Sequence, residues 1–529
     1  MKINNYADPT GQMRLEKKSV AVLTMNLILV LIAGVLSACS PGAEVITSPD
    51  QLNRGDAKIG VATDTPEFAL VEKRFPKAEI VYTQDLMGAL TSVAQGKIDA
   101  FVGNKLNMEL AIYNGLRGVR LLDGTIGEGN VSAVAISPRT EIPDLKGKIN
   151  EFLKQIKKDG TLDDIRSRWI DKRDMVMPNI AEAKDPKLHL VVGTTGLSEP
   201  FTCYVNNELS GYDVELAKRF ASWLGASIEF KIYDYNGIVP AAQGGDVDCI
   251  FANLYVTPER EKALGFSDPT YIVDVGIIVR DAGSQNGGGI AGFFSSVKDS
   301  FEKTFFTEDR WVLFAVGIGT TLLITVLSII LGTLIGFAVY MVCRNGNRAA
   351  NAVTRFCIWL IEGMPVVVLL MILYYVLFER IKLSGVTVSV MAFTLIFAAA
   401  VFNMLKAGVA TVGTGQMEAA YSLGYTDTKA FFNIMLPQAL RHIMPTYKAQ
   451  IKNLIKATAV VGYVAVQDLT KMGDIVRSRT YEAFFPLIAI AVVYFILAAI
   501  LIWIVNKIEV RAIPGRRPTG DDQKKGKMQ

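Results

Sequence analysis

In Thr257-Pro258-Glu259-Arg260-Glu261, a capping threonine and a first-turn proline set a guanidinium at the start of a short helix. The planar fork of Arg260 suits two parallel hydrogen bonds to a carboxylate, although the same five residues also read as an ordinary surface turn. Groups for metal or covalent chemistry are scarce. Cys39, Cys203, Cys249, Cys343 and Cys357 show no CxxC spacing, and His189 and His442 are the only histidines, so no metal centre is expected. Cys203 and Cys249 read as two buried free thiols in preference to a disulfide, whose geometry spacing cannot supply. The sequence contains no G-x-x-x-x-G-K-[ST] phosphate loop, so it does not hydrolyse ATP by that mechanism, and no cofactor is called for. The chemistry on offer is recognition.

The elements that would position such residues fall into two unlike halves. Of 529 residues, 50% are apolar, too many for an ordinary soluble enzyme. Residues 45–285 read as a charged α/β globule, whereas 312–508 hold five long apolar runs. The formal net charge of +4 is small and the basic residues are interspersed with acidic ones, so no nucleic-acid partner is expected. Arg14, Lys17 and Lys18 precede an apolar run from Val20 to Leu36, the order of a secretory signal. Its end, Leu36-Ser37-Ala38-Cys39, resembles a bacterial lipobox. The resemblance implies a signal over residues 1–38 and lipidation of Cys39, and it puts the chain beyond Cys39 outside the cytoplasm.

From Leu188 the chain alternates strand and helix, which implies a parallel sheet with ligands at the carboxyl ends of its strands. GYDVELA, DVDCIFANLYVTPERE and FSDPTY together resemble lobe one of the polar-amino-acid class of periplasmic solute-binding proteins, in which two α/β lobes close over a ligand. Upstream, ITSPDQLNRGDAKIGVATDTP, GALTSVAQGKIDAFVGN and INEFLKQIKKDGTLDDIRSRWI resemble lobe two and the closing helix of the same class. The expected fold is therefore an α/β two-lobed periplasmic-binding-protein domain, circularly permuted. Lobe two spans 46–138, the closing helix and joining loop 139–187, and lobe one 188–281. A degenerate tandem of two receptors is the other reading of this order.

The resemblance makes Arg260 the carboxylate-binding residue, with Asn253 and Tyr255 as ligand donors, Tyr235 as the aromatic cover and Phe201 as a floor. The other lobe departs from the pattern. Asp64-Thr65-Pro66 stands where the class shows Gly-Thr-Thr, and Asn104 stands where it carries the ammonium-binding aspartate. An amide supplies no charge, so Asp64 substitutes as the anion, or the solute lacks an α-ammonium or binds weakly.

After a Gly-rich linker and an amphipathic interfacial helix at 282–311, a transmembrane domain is expected over 312–510, with a cytoplasmic tail at 511–529. Its five expected helices are 312–342, 354–378, 386–410, 450–470 and 484–508, and Arg344, Arg348 and Arg355 then obey the positive-inside bias. Between the third and fourth, Glu418-Ala419-Ala420, Gly424 and Pro437 resemble the EAA loop of ATP-binding-cassette import permeases. That resemblance implies coupling to a separate ATPase subunit, a homodimer of the permease domain and multi-pass residence in a bacterial inner membrane. The whole chain then reads as the binding and permease component of an importer for a polar amino acid or related small solute. A ligand-gated ion channel or a non-transporting sensor on the same receptor is the alternative, and VVGYV at 460–464 is a partial echo of a channel filter. Glu362 and Lys406 are expected to be neighbours, as ionisable groups within spans pair or face water.

Overall fold

A computed structural model describes residues 45–512 apart from 63, 64, 84, 128, 282–289, 345, 379, 380, 382, 483 and 484. The signal segment with Cys39, Asp64, the Gly-rich part of the linker and the tail from 513 lie outside the described residues. The chain divides into two compact units, one made of Met1–Gly103, Arg117–Gly124 and Gly276–Asn286, the other of everything else.

The first unit is built on a five-stranded sheet ordered Glu79–Thr83, Lys58–Ala62, Ala100–Asn104, Val275–Arg280, Val119–Leu121. Lys58–Ala62 runs parallel to both of its neighbours, so connections must cross over, and helices such as Leu86–Ala94 supply them. Asp85 starts that helix by accepting from the Gly88 amide at 2.7 Å, and Met87, Ala89, Leu90 and Val93 form its buried face.

The second unit carries a five-stranded sheet ordered Gly265–Val273, Asn130–Ile136, Cys249–Ile250, Leu188–Thr194, Ala226–Ile232. Leu188–Thr194 pairs in parallel with Ala226–Ile232, while Asn130–Ile136 is antiparallel to both of its neighbours. Two strands thus cross the boundaries drawn from sequence. Asn130–Ile136, counted with 46–138, belongs to this second sheet, and Val275–Arg280, counted with 188–281, belongs to the first. Contiguity along the chain hides such exchanges, because a strand's periodicity does not say which sheet it joins. Helices Leu145–Lys158 and Thr161–Arg166 pack on the second sheet, with Phe152, Ile165 and Trp169 in one core with Leu216 and Phe220. Glu215, fully buried, fixes that contact: Arg168 grips it at 2.9 and 2.6 Å and the Trp169 indole donates at 2.7 Å. Cys203 and Cys249 are free and buried.

The same unit continues into the membrane part. Helices Thr307–Arg344, Gly385–Ala410 and Phe485–Glu509 are long and apolar enough to cross a membrane, and Arg348–Glu362 with Val366–Leu377 makes a fourth if that pair, bent by 110°, is one span. The bend falls at Gly363-Met364-Pro365, where Pro365 has no amide hydrogen to continue the ladder. The run at 450–470 is not one helix: Leu436–Ala457 ends inside it and Thr458–Val464 follows as a tight turn. Lys452 and Lys456 break its apolar character, which a residue count alone overlooks. Trp311–Arg344 and Gly385–Ala410 approach closely at Gly332 and Gly336, where a Cβ would lie 2.8 Å from Phe397 and 2.5 Å from the Ala398 carbonyl. Ahead of them, Ile290–Phe305 is helical with Val297 and Phe301 exposed.

Candidate functional site

Arg260 lies in the four-residue helix Pro258–Glu261, whose cap is Thr257, accepting from the Arg260 amide at 3.3 Å. Only 8% of the residue is exposed. One guanidinium nitrogen donates to the Tyr255 carbonyl at 3.0 Å and another to the Tyr235 hydroxyl at 3.2 Å, with the Tyr235 ring 5.9 Å away. The turn therefore presents a buried cation, which the surface-turn reading does not require. Tyr255 acts here through its backbone, and its side chain is buried.

Asn253 has a left-handed φ of 50°; its backbone amide donates to the Asp213 carboxylate, and its buried side-chain Oδ1 has no partner among the described residues. Burial pushes the Asp213 carboxyl up to about 7, against the lowering effect of the Asn253 amide. Thr194, the last residue of Leu188–Thr194, likewise buries an unpartnered hydroxyl. These groups stand at or just past the carboxyl ends of parallel strands, where α/β sheets expose backbone and side chains to ligands.

Asn104, at the end of Ala100–Asn104, caps helix Lys105–Tyr113 by accepting from the Asn107 amide at 3.2 Å. Capping fixes which end of the amide is oxygen, so the free end is the buried, unpartnered Nδ2, a donor. Asn107 donates to Ser198 Oγ at 3.1 Å, and its own oxygen, like Asn104 Nδ2, has no partner among the described residues. Buried polar atoms are normally satisfied, so an unpartnered set at strand ends is what a polar solute would complete. Thr65 belongs to the first unit, where its hydroxyl donates to the Ala62 carbonyl at 2.9 Å. Phe201 has no exposed surface; its ring packs edge-on against Tyr212 and Tyr271 and is spent on the core. Thr194 and Asn107 escaped sequence reasoning, the first inside an apolar strand and the second as an unremarked helix polar. Only the spacing of Asn107, three residues beyond a capping asparagine, signals it.

In the membrane part, Glu418, Ala419 and Ala420 lie in helix Gly415–Ser422, with Glu418 and Ala419 exposed and Ala420 buried. Gly424 comes next at φ 80° with open space where a Cβ would stand, and Leu423 beside it is 76% exposed. Pro437 lies in the first turn of Leu436–Ala457. Arg344, at the end of the first span, pairs with Asp427 at 2.7 Å and lies 4.0 Å over Phe431, tying this loop to the span. Glu362 accepts from Asn403 at 2.8 Å, nearly one turn before Lys406 on the same helix. The filter-like 460–464 run lies in the turn Thr458–Val464, where the Gly462 carbonyl accepts from the Asp234 amide at 3.2 Å.

Residues 190–458, about half of the chain, match the family described as bacterial extracellular solute-binding proteins, family 3. A putative glutamine transport system permease protein of Rickettsia bellii is 33% identical over 205 residues, which are 38% of this chain and 94% of that protein. A probable glutamine ABC transporter permease protein of Bacillus subtilis is 29% identical over 204 residues, again 38% of this chain and 94% of that one. Among solved structures, an amino acid ABC transporter with histidines is 30% identical, covering 41% of this chain and 98% of its own, with a TM-score of 0.36.

Proposed function

This chain belongs to the bacterial extracellular solute-binding proteins, family 3, in fusion with a homologue of amino-acid ABC permeases, and on that premise we propose that it is the receptor and permease component of an ATP-driven importer for a polar amino acid or related small solute. The observation that carries the reading is a single compact unit that holds both the lobe with buried Arg260 and the membrane helices with the exposed Gly415–Ser422 loop. In this reading Arg260 takes a carboxylate of the solute, with Tyr235 beside it and Asn253 and Thr194 completing its polar groups. Tyr255 serves through its carbonyl. Asn104 presents a donor, so the solute group that it meets is an acceptor and not an ammonium. The loop residues Glu418, Ala419, Ala420, Gly424 and Pro437 meet a separate ATPase subunit, two permease copies serve two ATPases, and the assembly sits in the bacterial inner membrane. Leu436–Ala457 with its following turn supplies the fifth membrane segment. The exchange of strands between the two sheets supports a permuted receptor over a tandem, since each segment lends the other a strand. A cleaved, lipidated start at Cys39 is part of the same proposal.

The test is to purify the chain with the ATPase that accompanies it, place both in liposomes, and follow ATP hydrolysis while adding the twenty proteinogenic L-amino acids one at a time. One or more of them should raise turnover, and Arg260→Ala should weaken its binding by at least about thirtyfold, the ~2 kcal/mol lower end for truncating one partner of a buried charged contact. An unchanged affinity in Arg260→Ala would overturn the site. A chain that purifies with no ATPase would overturn the importer.

A further inference from the structure

We propose that Lys471 is the residue through which solute at Arg260 is felt by the membrane helices. Lys471 lies in helix Leu469–Thr480 of the membrane part, and only 1% of its side chain is exposed. Its ammonium donates to the Tyr233 carbonyl at 2.8 Å and to the Asp234 carboxylate at 2.9 Å, both of which belong to the solute lobe. The next residue, Tyr235, carries the hydroxyl that meets Arg260. From Arg260 to Lys471 the path is therefore a guanidinium, a phenol, one peptide link, a carboxylate and an ammonium.

On the far side the connection is equally tight. The Lys471 amide donates to the capping carboxylate of Asp468 at 3.0 Å, and Asp468 also accepts from the Tyr494 hydroxyl at 3.0 Å in the last span. The Leu469 amide donates to Thr321 Oγ1 at 3.1 Å in the first span, and a Cβ on Gly317 would lie 2.8 Å from the Leu469 Cα. The start of this helix is thus clasped by two spans, and its lysine reaches into the lobe. A buried ammonium that loses its carboxylate is left uncompensated. When solute draws on Arg260 and shifts Tyr235, Asp234 shifts with it, and Lys471 must follow. A lysine that merely glued the lobe in place would need no contact with the residue next to the tyrosine that meets the solute-binding arginine.

The inference rests on the receptor reading of Arg260, and its test separates the two. The full chain is placed in nanodiscs, an L-amino acid that binds is found by screening the twenty, and amide hydrogen exchange over 458–480 is compared with and without it. In the wild type, the amino acid should change exchange there by about fivefold or more, the lower range of an allosteric coupling. Lys471→Met should bind with unchanged affinity but lose that response, and Lys471→Arg should restore it. Should Lys471→Met fail to fold, Asp234→Asn, which keeps an oxygen and removes the charge, carries the same expectation. An undiminished response in Lys471→Met or in Asp234→Asn overturns the inference alone. If Arg260→Ala binds as tightly as the wild type, or no amino acid binds, the receptor reading fails and this inference with it.

Discussion

Asp213 is the residue whose charge the fold controls most openly. Buried beneath Asn253, its carboxyl is raised to about 7 from an ordinary 3.8, so the folded chain keeps a proton that the unfolded chain gives up. Stability from this group is complete below about 4, falls as pH rises from there to about 7, and is flat above. Asp213→Asn does not titrate and keeps an oxygen for the Asn253 amide. Its advantage over wild type should therefore be small near pH 4 and grow to roughly 4 kcal/mol above pH 7. Thermal unfolding followed by Trp169 and Trp223 fluorescence across that range checks it; a constant difference would mean that Asp213 is charged when folded. Arg260 was legible from TPERE. Asp213 was not, because its proton depends on a lid of other residues that no local pattern encodes.

The helices of the membrane part meet through glycines. Gly332 and Gly336 let Trp311–Arg344 lie against Gly385–Ala410, and a Cβ at Gly336 would stand 2.5 Å from a carbonyl and 2.8 Å from Val401 Cβ. Gly336→Val should force the pair apart at a cost of about 1–3 kcal/mol or more and lower the yield and thermal midpoint of the monodisperse protein. Gly319→Val, on the same helix with open space at its Cβ, is the control and should behave as wild type. Equal midpoints for the two would remove the close approach. Hydropathy located three spans well because apolar length suffices for an isolated span. It failed at 450–470, where Lys452 and Lys456 sit among apolar residues and the chain turns, and it could not pair Glu362 with Asn403, since a span's sequence does not give its rotation.

In the whole molecule, the lobe with Arg260 and the Gly415–Ser422 loop belong to one unit. Gly424 tests the proposed coupling to an ATPase. Its left-handed backbone makes Gly424→Leu strained by about 1–2 kcal/mol, yet among the described residues no atom stands in the way, so the variant should fold and bind solute as before. The leucine would project beside exposed Leu423, and solute-stimulated ATP hydrolysis should fall by about fivefold or more in liposomes. Full stimulation would show that the turn is not where the ATPase bears. The motifs at both ends were legible in the sequence, but the lobe's seat on the membrane part was not, because Asp234 and Lys471 stand 237 positions apart and neither belongs to a motif. That seat also has a kinetic meaning. A freely diffusing receptor finds its permease by collision, at a rate set by its abundance. A receptor rooted in the permease has a fixed effective concentration and no search. In the proposed importer each transporter then waits only for the receptors of its own chains to fill and empty, so throughput is capped by solute arrival and release at those lobes, and surplus receptor added from outside brings no gain.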